Sequence, residues 1–134
     1  MARRSVANRS SKSKTRLLTW AKKVLQVEAE AVASLSNRID ERFLTAVDTL
    51  WKCKGRVVVT AIGKPGFIAQ KLSATLASTG VPSLYLHPAE AAHGDLGRVA
   101  PGDVVIALSN SGQTEELVRL IVPLKRLKIS LIVV

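Results

Sequence analysis

Residues 103–116 read DVVIALSNSGQTEE. Asp103–Leu108 is apolar after its first residue, too short for a buried helix and rich in β-branched side chains, so it reads as a strand covered on both faces. At Ser109 the chemistry changes. Ser109, Asn110, Ser111, Gly112, Gln113 and Thr114 are small or polar, and a helical segment follows from Thr114 to about Lys128. Strand, hydroxyl-rich turn and helix in so short a span are half of a β–α–β crossover, and they decide the fold class.

The same alternation recurs on either side. Val57–Thr60 is a second β-branched strand; Gly63 and Gly66 punctuate the chain after it, a helix runs from about Phe67 to Ser78, and Gly80 stops that helix before a strand at Ser83–Leu86. Ser130–Val134 begins a fourth strand. Upstream, Leu17, Ala21, Val24, Leu25, Val32 and Leu35 recur at helical spacing, and Ile39, Phe43, Val47, Leu50 and Trp51 form a second such stripe. The expectation is an α/β domain of three layers, a parallel sheet covered on both faces and preceded by two helices.

Composition narrows the function. A chain of 134 residues with 47% hydrophobic side chains holds one ordinary domain with a real core. The net charge of +10 is mostly local: residues 1–16 carry six of the twenty basic side chains and none of the ten acidic ones. That stretch reads as a basic flexible arm, with an organelle-targeting segment and a nonspecific nucleic-acid contact as alternatives. No apolar run approaches a membrane span, and no helix-turn-helix is evident, so neither membrane nor nucleic acid is an expected partner. Cys53 is the only cysteine, which fits a cytosolic protein without disulfides and excludes a cysteine-based metal cluster.

Ligands of parallel sheets bind where loops leave the carboxyl ends of strands. Gly63-Lys64-Pro65-Gly66 follows the first strand, but it matches neither the dinucleotide nor the Walker pattern, and no cofactor is called for. Ser109, Asn110, Ser111 and Thr114 offer side-chain donors, Gly112 permits close approach of backbone amides, and the helix that follows points its positive end at the same place. That is the composition of a phosphate cradle. The alternative is an ordinary turn in which Thr114 is the N-cap and Glu115 and Glu116 favour the helix dipole.

The stretch from Gly63 to Leu117, above all HPAEAAHGDLG and SNSGQTEE, resembles the sugar isomerase (SIS) domain of the arabinose-5-phosphate isomerase and capsule-expression isomerase family. The resemblance extends upstream through Trp51-Lys52-Cys53-Lys54-Gly55 and the helices before it, giving residues 17–134 as a partial SIS domain. It implies a five-stranded flavodoxin-like sheet, a sugar phosphate substrate, interconversion of arabinose 5-phosphate with ribulose 5-phosphate on the way to lipopolysaccharide or capsule sugars, and a homo-oligomer with sites near subunit boundaries. On that basis Ser109, Ser111, Gly112 and Thr114 hold the phosphate, with Gly63, Asn110 and Gln113 beside them. Lys64 stabilises developing negative charge, and Glu116 shuttles a proton. His93 contacts the substrate, and Gly80-Val81 touches it through its backbone. His87 matches a position associated with zinc, against which stands a structural His-Pro turn; a solvated loop lysine is the plain alternative for Lys64.

The sequence departs from the family pattern in three places. Pro65 stands where the family has a serine donor and Phe67 where it has a histidine. The chain also stops in the fourth strand, before the family's fifth strand, its second glutamate and histidine and its tandem regulatory module. Two functions are therefore expected: an isomerase or its front portion, and a noncatalytic module that binds phosphosugars.

Overall fold

Short apolar runs bounded by turns mark where the sheet forms, and the computed structural model, which describes residues 11–134, has a strand at each of the four. Helix α1 spans Ser11–Ser34 and α2 spans Glu41–Trp51, with a 3₁₀ turn at Leu35–Arg38 between them. Then come β1 (Val57–Thr60), α3 (Lys64–Ser78), β2 (Ser83–Leu86), α4 (Pro88–Ala92), a 3₁₀ turn at Asp95–Arg98, β3 (Val104–Ala107), α5 (Glu115–Arg126) and β4 (Ser130–Val133). The chain divides between Arg42 and Phe43 into two units, the first holding α1 and the second the sheet.

All four strands are parallel, in the order β2-β1-β3-β4. Val57 stands opposite Ser83 on one side and Val104 on the other, and Val104 stands opposite Ser130. Every residue of the central strands β1 and β3 is buried, whereas β2 and β4, with one neighbour each, are only partly so. That difference follows from position in the sheet. Alternate side chains divide the core between the two faces. Val58, Leu86 and Val105 pack with Ala91, Leu120 and Leu124 from α4 and α5; Val57, Val59 and Ile106 pack with Ala69, Leu72 and Leu76 from α3 and with Leu50 from α2. The expected three layers are present.

Element boundaries differ from the sequence expectation in ways that have local causes. Residues 11–16, assigned to a flexible arm, are helical, because Lys14 and Arg16 favour helix and no Gly or Pro interrupts them; residues 1–10 of that arm lie outside the described residues. Helix α3 begins at Lys64 rather than near Phe67. Gly63 precedes it at φ 69°, a conformation that glycine adopts without strain, and Pro65 sits in the first turn where its missing N–H costs nothing. Helix α5 stops at Arg126, before Lys128, whose φ of 55° turns the chain towards β4.

Candidate functional site

Strand β1 leads to β2 on one side, whereas β3 lies on its other side, so the direction of winding changes between β1 and β3. The loops leaving these two strands diverge there and open a crevice at the carboxyl edge. A cavity of about 500 Å³ occupies it, lined by Lys64, Pro65 and Ile68 from the start of α3, Leu108, Ser109 and Asn110 from the loop after β3, and Val134. The structure thus brings Lys64 beside Ser109 and Asn110, the first two residues of the hydroxyl loop.

The root of that loop is held by ladder-like hydrogen bonds. Leu108 N–H donates to Thr60 O at 3.0 Å and Ser109 N–H to Val134 O at 2.8 Å. Farther along, Gly112 N–H donates to Ser109 Oγ at 3.0 Å and Gln113 N–H to Ser111 Oγ at 3.1 Å, with Gly112 at φ 66° closing the turn. Thr114 occupies the N-cap of α5, yet its hydroxyl caps no amide. Instead Thr114 Oγ1 lies 3.1 Å from Ser109 Oγ. The first amides of α5 therefore have no side-chain cap from Thr114, and the helix presents its positive end beside two paired hydroxyls. Chemically this is a set of donors suited to an anion.

The other residues of interest go elsewhere. His93 and Glu116 line a second cavity of about 360 Å³ between α4 and α5, with Pro88, Arg119, Leu120 and Pro123 around them. His93 is the C-cap of α4, and both it and Glu116 are exposed. Arg119, one turn along from Glu115, forms an ion pair with it. The sequence reading missed Arg119; its spacing from Glu115 was the available signal. So the candidate catalytic groups fall into two cavities, Lys64 in one and His93 with Glu116 in the other.

Gly80 and Val81 are not part of either cavity. A crossover helix carries the chain back to the amino end of the sheet, and these residues follow α3 there, just before β2. Their backbone is accounted for by the helix end itself: Gly80 N–H donates to Ala77 O and Val81 N–H to Leu76 O, with Gly80 at φ 90°. Within one chain they do not join the site. His87 likewise has a structural task. Its Nδ1 accepts from Ala89 N–H at 3.2 Å as the N-cap of α4, and its ring meets Tyr85 edge-on at 6.4 Å. Among the described residues no cluster of three His, Cys, Asp or Glu side chains could hold a metal ion, and the role the structure gives His87 is that of a helix cap.

Two hydroxyls that the sequence did not single out, one buried and one half-buried, tie the strand ends beneath the crevice. Thr60 Oγ1 donates to Leu86 O at 2.7 Å, tying the carboxyl ends of β1 and β2. Tyr85 Oη donates to Ala61 O at 2.8 Å, at the first residue of the loop that carries Lys64. Burial pushes the Tyr85 phenol above its ordinary value of 10.0, partly opposed by a hydrogen bond with Gln70.

Fold and crevice define an open parallel α/β domain with a hydroxyl-lined loop and a lysine at its switch point. The SIS domain family model matches residues 49–134, and the chain belongs to that family. It is 53% identical over 111 residues to the arabinose 5-phosphate isomerase KdsD of Shigella flexneri, a match covering 83% of this chain and 34% of the relative. With KdsD of Pseudomonas aeruginosa the identity is 52% over 112 residues, 84% of this chain and 34% of that one. Among solved structures, Escherichia coli CFT073 c3406 in complex with arabinose 5-phosphate superposes with a TM-score of 0.83 at 43% identity, covering 89% of this chain and 63% of its own. The chain thus spans about a third of the length of the curated relatives it matches. Among the described residues no helix is long and apolar enough to cross a membrane.

Proposed function

We propose that this chain carries the phosphosugar site of an aldose–ketose isomerase that interconverts arabinose 5-phosphate and ribulose 5-phosphate in the cytosol, as part of a homo-oligomer. The observation that supports the reading is the switch-point crevice, where Lys64 shares one cavity with Ser109 and Asn110 at the start of the hydroxyl loop. Its support from outside is the similarity to KdsD enzymes and to a structure solved with arabinose 5-phosphate.

In this reading the loop hydroxyls and the amino end of α5 bind the phosphate, far from the reacting carbons, and so orient the chain of the sugar. Isomerisation removes a proton from C2 of the aldose, passes through an enediolate and returns the proton to C1, while the proton of the C2 hydroxyl passes to the C1 oxygen. Lys64 stabilises the oxyanion that develops on the way, since a cation placed where charge appears lowers the barrier. Glu116 transfers the proton and His93 donates to a sugar hydroxyl. Gly80 and Val81, at the opposite end of the sheet, reach a substrate only from another copy of the chain.

A second reading, a module that binds phosphosugars without turning them over, is favoured by the separation of Lys64 from His93 and Glu116 into different cavities and by Pro65 in place of a hydroxyl. A coupled assay for arabinose 5-phosphate conversion, run beside calorimetric titration of the same ligand, separates the two. Turnover that disappears in Lys64→Ala while binding persists supports the isomerase. Binding without turnover supports the module, and the absence of both sinks the phosphosugar reading altogether.

A further inference from the structure

We propose that Tyr85 is a positioning residue for Lys64: its phenol oxygen supports both ends of the short arch, Ala61 to Gly66, on which Lys64 reaches the crevice. This deepens the isomerase reading and rests on it for the chemical task of Lys64, though not for how the arch is held.

The arch runs from the end of β1 into the first turn of α3, with buried ends and an exposed middle. Ala61 and Gly66 are buried, Gly63 and Lys64 are exposed, and Lys64 lines the cavity. An exposed connection of this kind opens locally unless its backbone is tied down. Gly66 N–H donates to Gly63 O at 3.0 Å, which closes a turn around Lys64, and Pro65 fixes one torsion inside that turn. The turn is then fastened to the sheet by Tyr85, whose Oη donates to Ala61 O at 2.8 Å. The same oxygen meets the far end of the arch. A Cβ on Gly66 would stand 3.1 Å from Tyr85 Oη and 3.5 Å from Ala61 O, so phenol, carbonyl and glycine share one small space, and a larger residue at 66 would push the phenol out of it. Tyr85 stands opposite Val59 in the parallel ladder and belongs to the sheet, not to the loop. The rigidity of the sheet thus reaches Lys64 through one oxygen atom, three residues before the lysine and two after it. A cation that must stand beside a developing oxyanion gains from such a mount, because a small displacement of the charge forfeits much of its effect.

Tyr85→Phe keeps the ring and removes the oxygen. In steady-state conversion of arabinose 5-phosphate by the full chain, kcat is expected to fall about tenfold with KM unchanged, because the hydroxyl loop still holds the phosphate. In a Lys64→Ala background the same substitution is expected to cost nothing further. Gly66→Ala is expected to reproduce the loss by displacing the phenol oxygen, and to add nothing to it in Tyr85→Phe, since no other atom of that side chain comes as close to the added methyl. Amide hydrogen exchange reads the arch without any turnover: in Tyr85→Phe the Gly66 N–H is expected to exchange about tenfold faster relative to the Leu108 N–H, which is bonded to Thr60 O. Equal losses of kcat with and without Lys64, or exchange that rises alike at Gly66 and Leu108, would mark a tyrosine that only stabilises the fold and would overturn the proposal. If the parent chain converts no arabinose 5-phosphate, the isomerase reading fails by itself; the exchange rates then decide whether Tyr85 holds the arch, and an unchanged Gly66 rate overturns that too.

Discussion

Tyr85 Oη donates to the carbonyl of Ala61 at 2.8 Å, so the second strand holds the first residue of the loop that delivers Lys64 to the crevice. The carbonyl belongs to a fully buried residue and cannot turn to bulk water. Tyr85→Phe removes the donor, and the expected loss of stability is ~1–3 kcal/mol, measured by chemical denaturation. A variant as stable as the parent chain would mean that the bond contributes nothing net.

The same phenol gives a pH dependence with a defined sign. Its folded pKa lies above the ordinary 10.0, so the unfolded chain loses the proton first as pH rises. The stability that Tyr85 contributes is whole below about pH 10 and declines as pH climbs from there through the folded pKa. Tyr85 is the only tyrosine, so the ultraviolet absorbance of the phenolate follows this one group. Titration in the native state is expected to lag that in denaturant, and the alkaline loss of stability is expected to shrink in Tyr85→Phe.

Gly55 is tied to the opposite end of the sheet. A Cβ there would press on Asp103 Oδ1 and stand 3.0 Å from both Asp103 N and Gly102 C. Asp103 cannot move away: it is buried, and its carboxylate accepts from Arg56 N–H at 2.7 Å and from Ala100 N–H at 2.9 Å. Gly55→Ala is therefore expected to destabilise the fold by ~1–3 kcal/mol through overpacking. Thermal denaturation of the single variant checks it, and an unchanged midpoint would show that the backbone yields.

These residues show which features the sequence made legible. The strands were readable because β1 and β3 are β-branched and buried on both faces, which periodicity detects directly. The crevice was readable because loops at carboxyl ends follow from a parallel sheet. Asp103, by contrast, looked like the first residue of a strand; its clamp on two amides from different segments has no local signature. Tyr85 and Thr60 act across strands through backbone carbonyls, which carry no residue identity. The placement of Gly80 at the amino edge and of His93 with Glu116 in a separate cavity likewise depends on topology, not on motif. Helix ends were misplaced for a simpler reason: apolar spacing marks the buried face, and caps mark the ends.

Two helix ends in this chain share one geometry with different residues. After α3, Gly80 takes the left-handed position at φ 90°; after α5, Lys128 takes it at φ 55°, with Lys128 N–H donating to Lys125 O and Ile129 N–H to Leu124 O. A lysine in that region carries a steric penalty that glycine lacks. Lys128→Gly is expected to stabilise the chain by ~0.5–1 kcal/mol, the relief of strain outweighing the added freedom of the unfolded state. Equilibrium denaturation decides it, and a less stable glycine variant would show that the lysine side chain makes a contribution of its own.

Thr114 separates the two meanings of the hydroxyl loop. If it served only as a helix cap, Thr114→Ala would remove a bond to the first amides of α5 and lower stability by ~0.5–2 kcal/mol. Its hydroxyl instead faces Ser109 Oγ and accepts from no amide of α5. Stability is therefore expected to fall by less than a typical cap, while affinity for a phosphate group falls because a donor beside the helix terminus is gone. Ser109→Ala with Ser111→Ala is expected to weaken the same ligand further, each lost bond to a charged acceptor being worth ~1.5–3 kcal/mol. Calorimetric titration of arabinose 5-phosphate into the three proteins, with denaturation curves for each, gives both quantities. Undiminished affinity together with a full cap-sized loss of stability in Thr114→Ala would return the loop to an ordinary strand-to-helix turn.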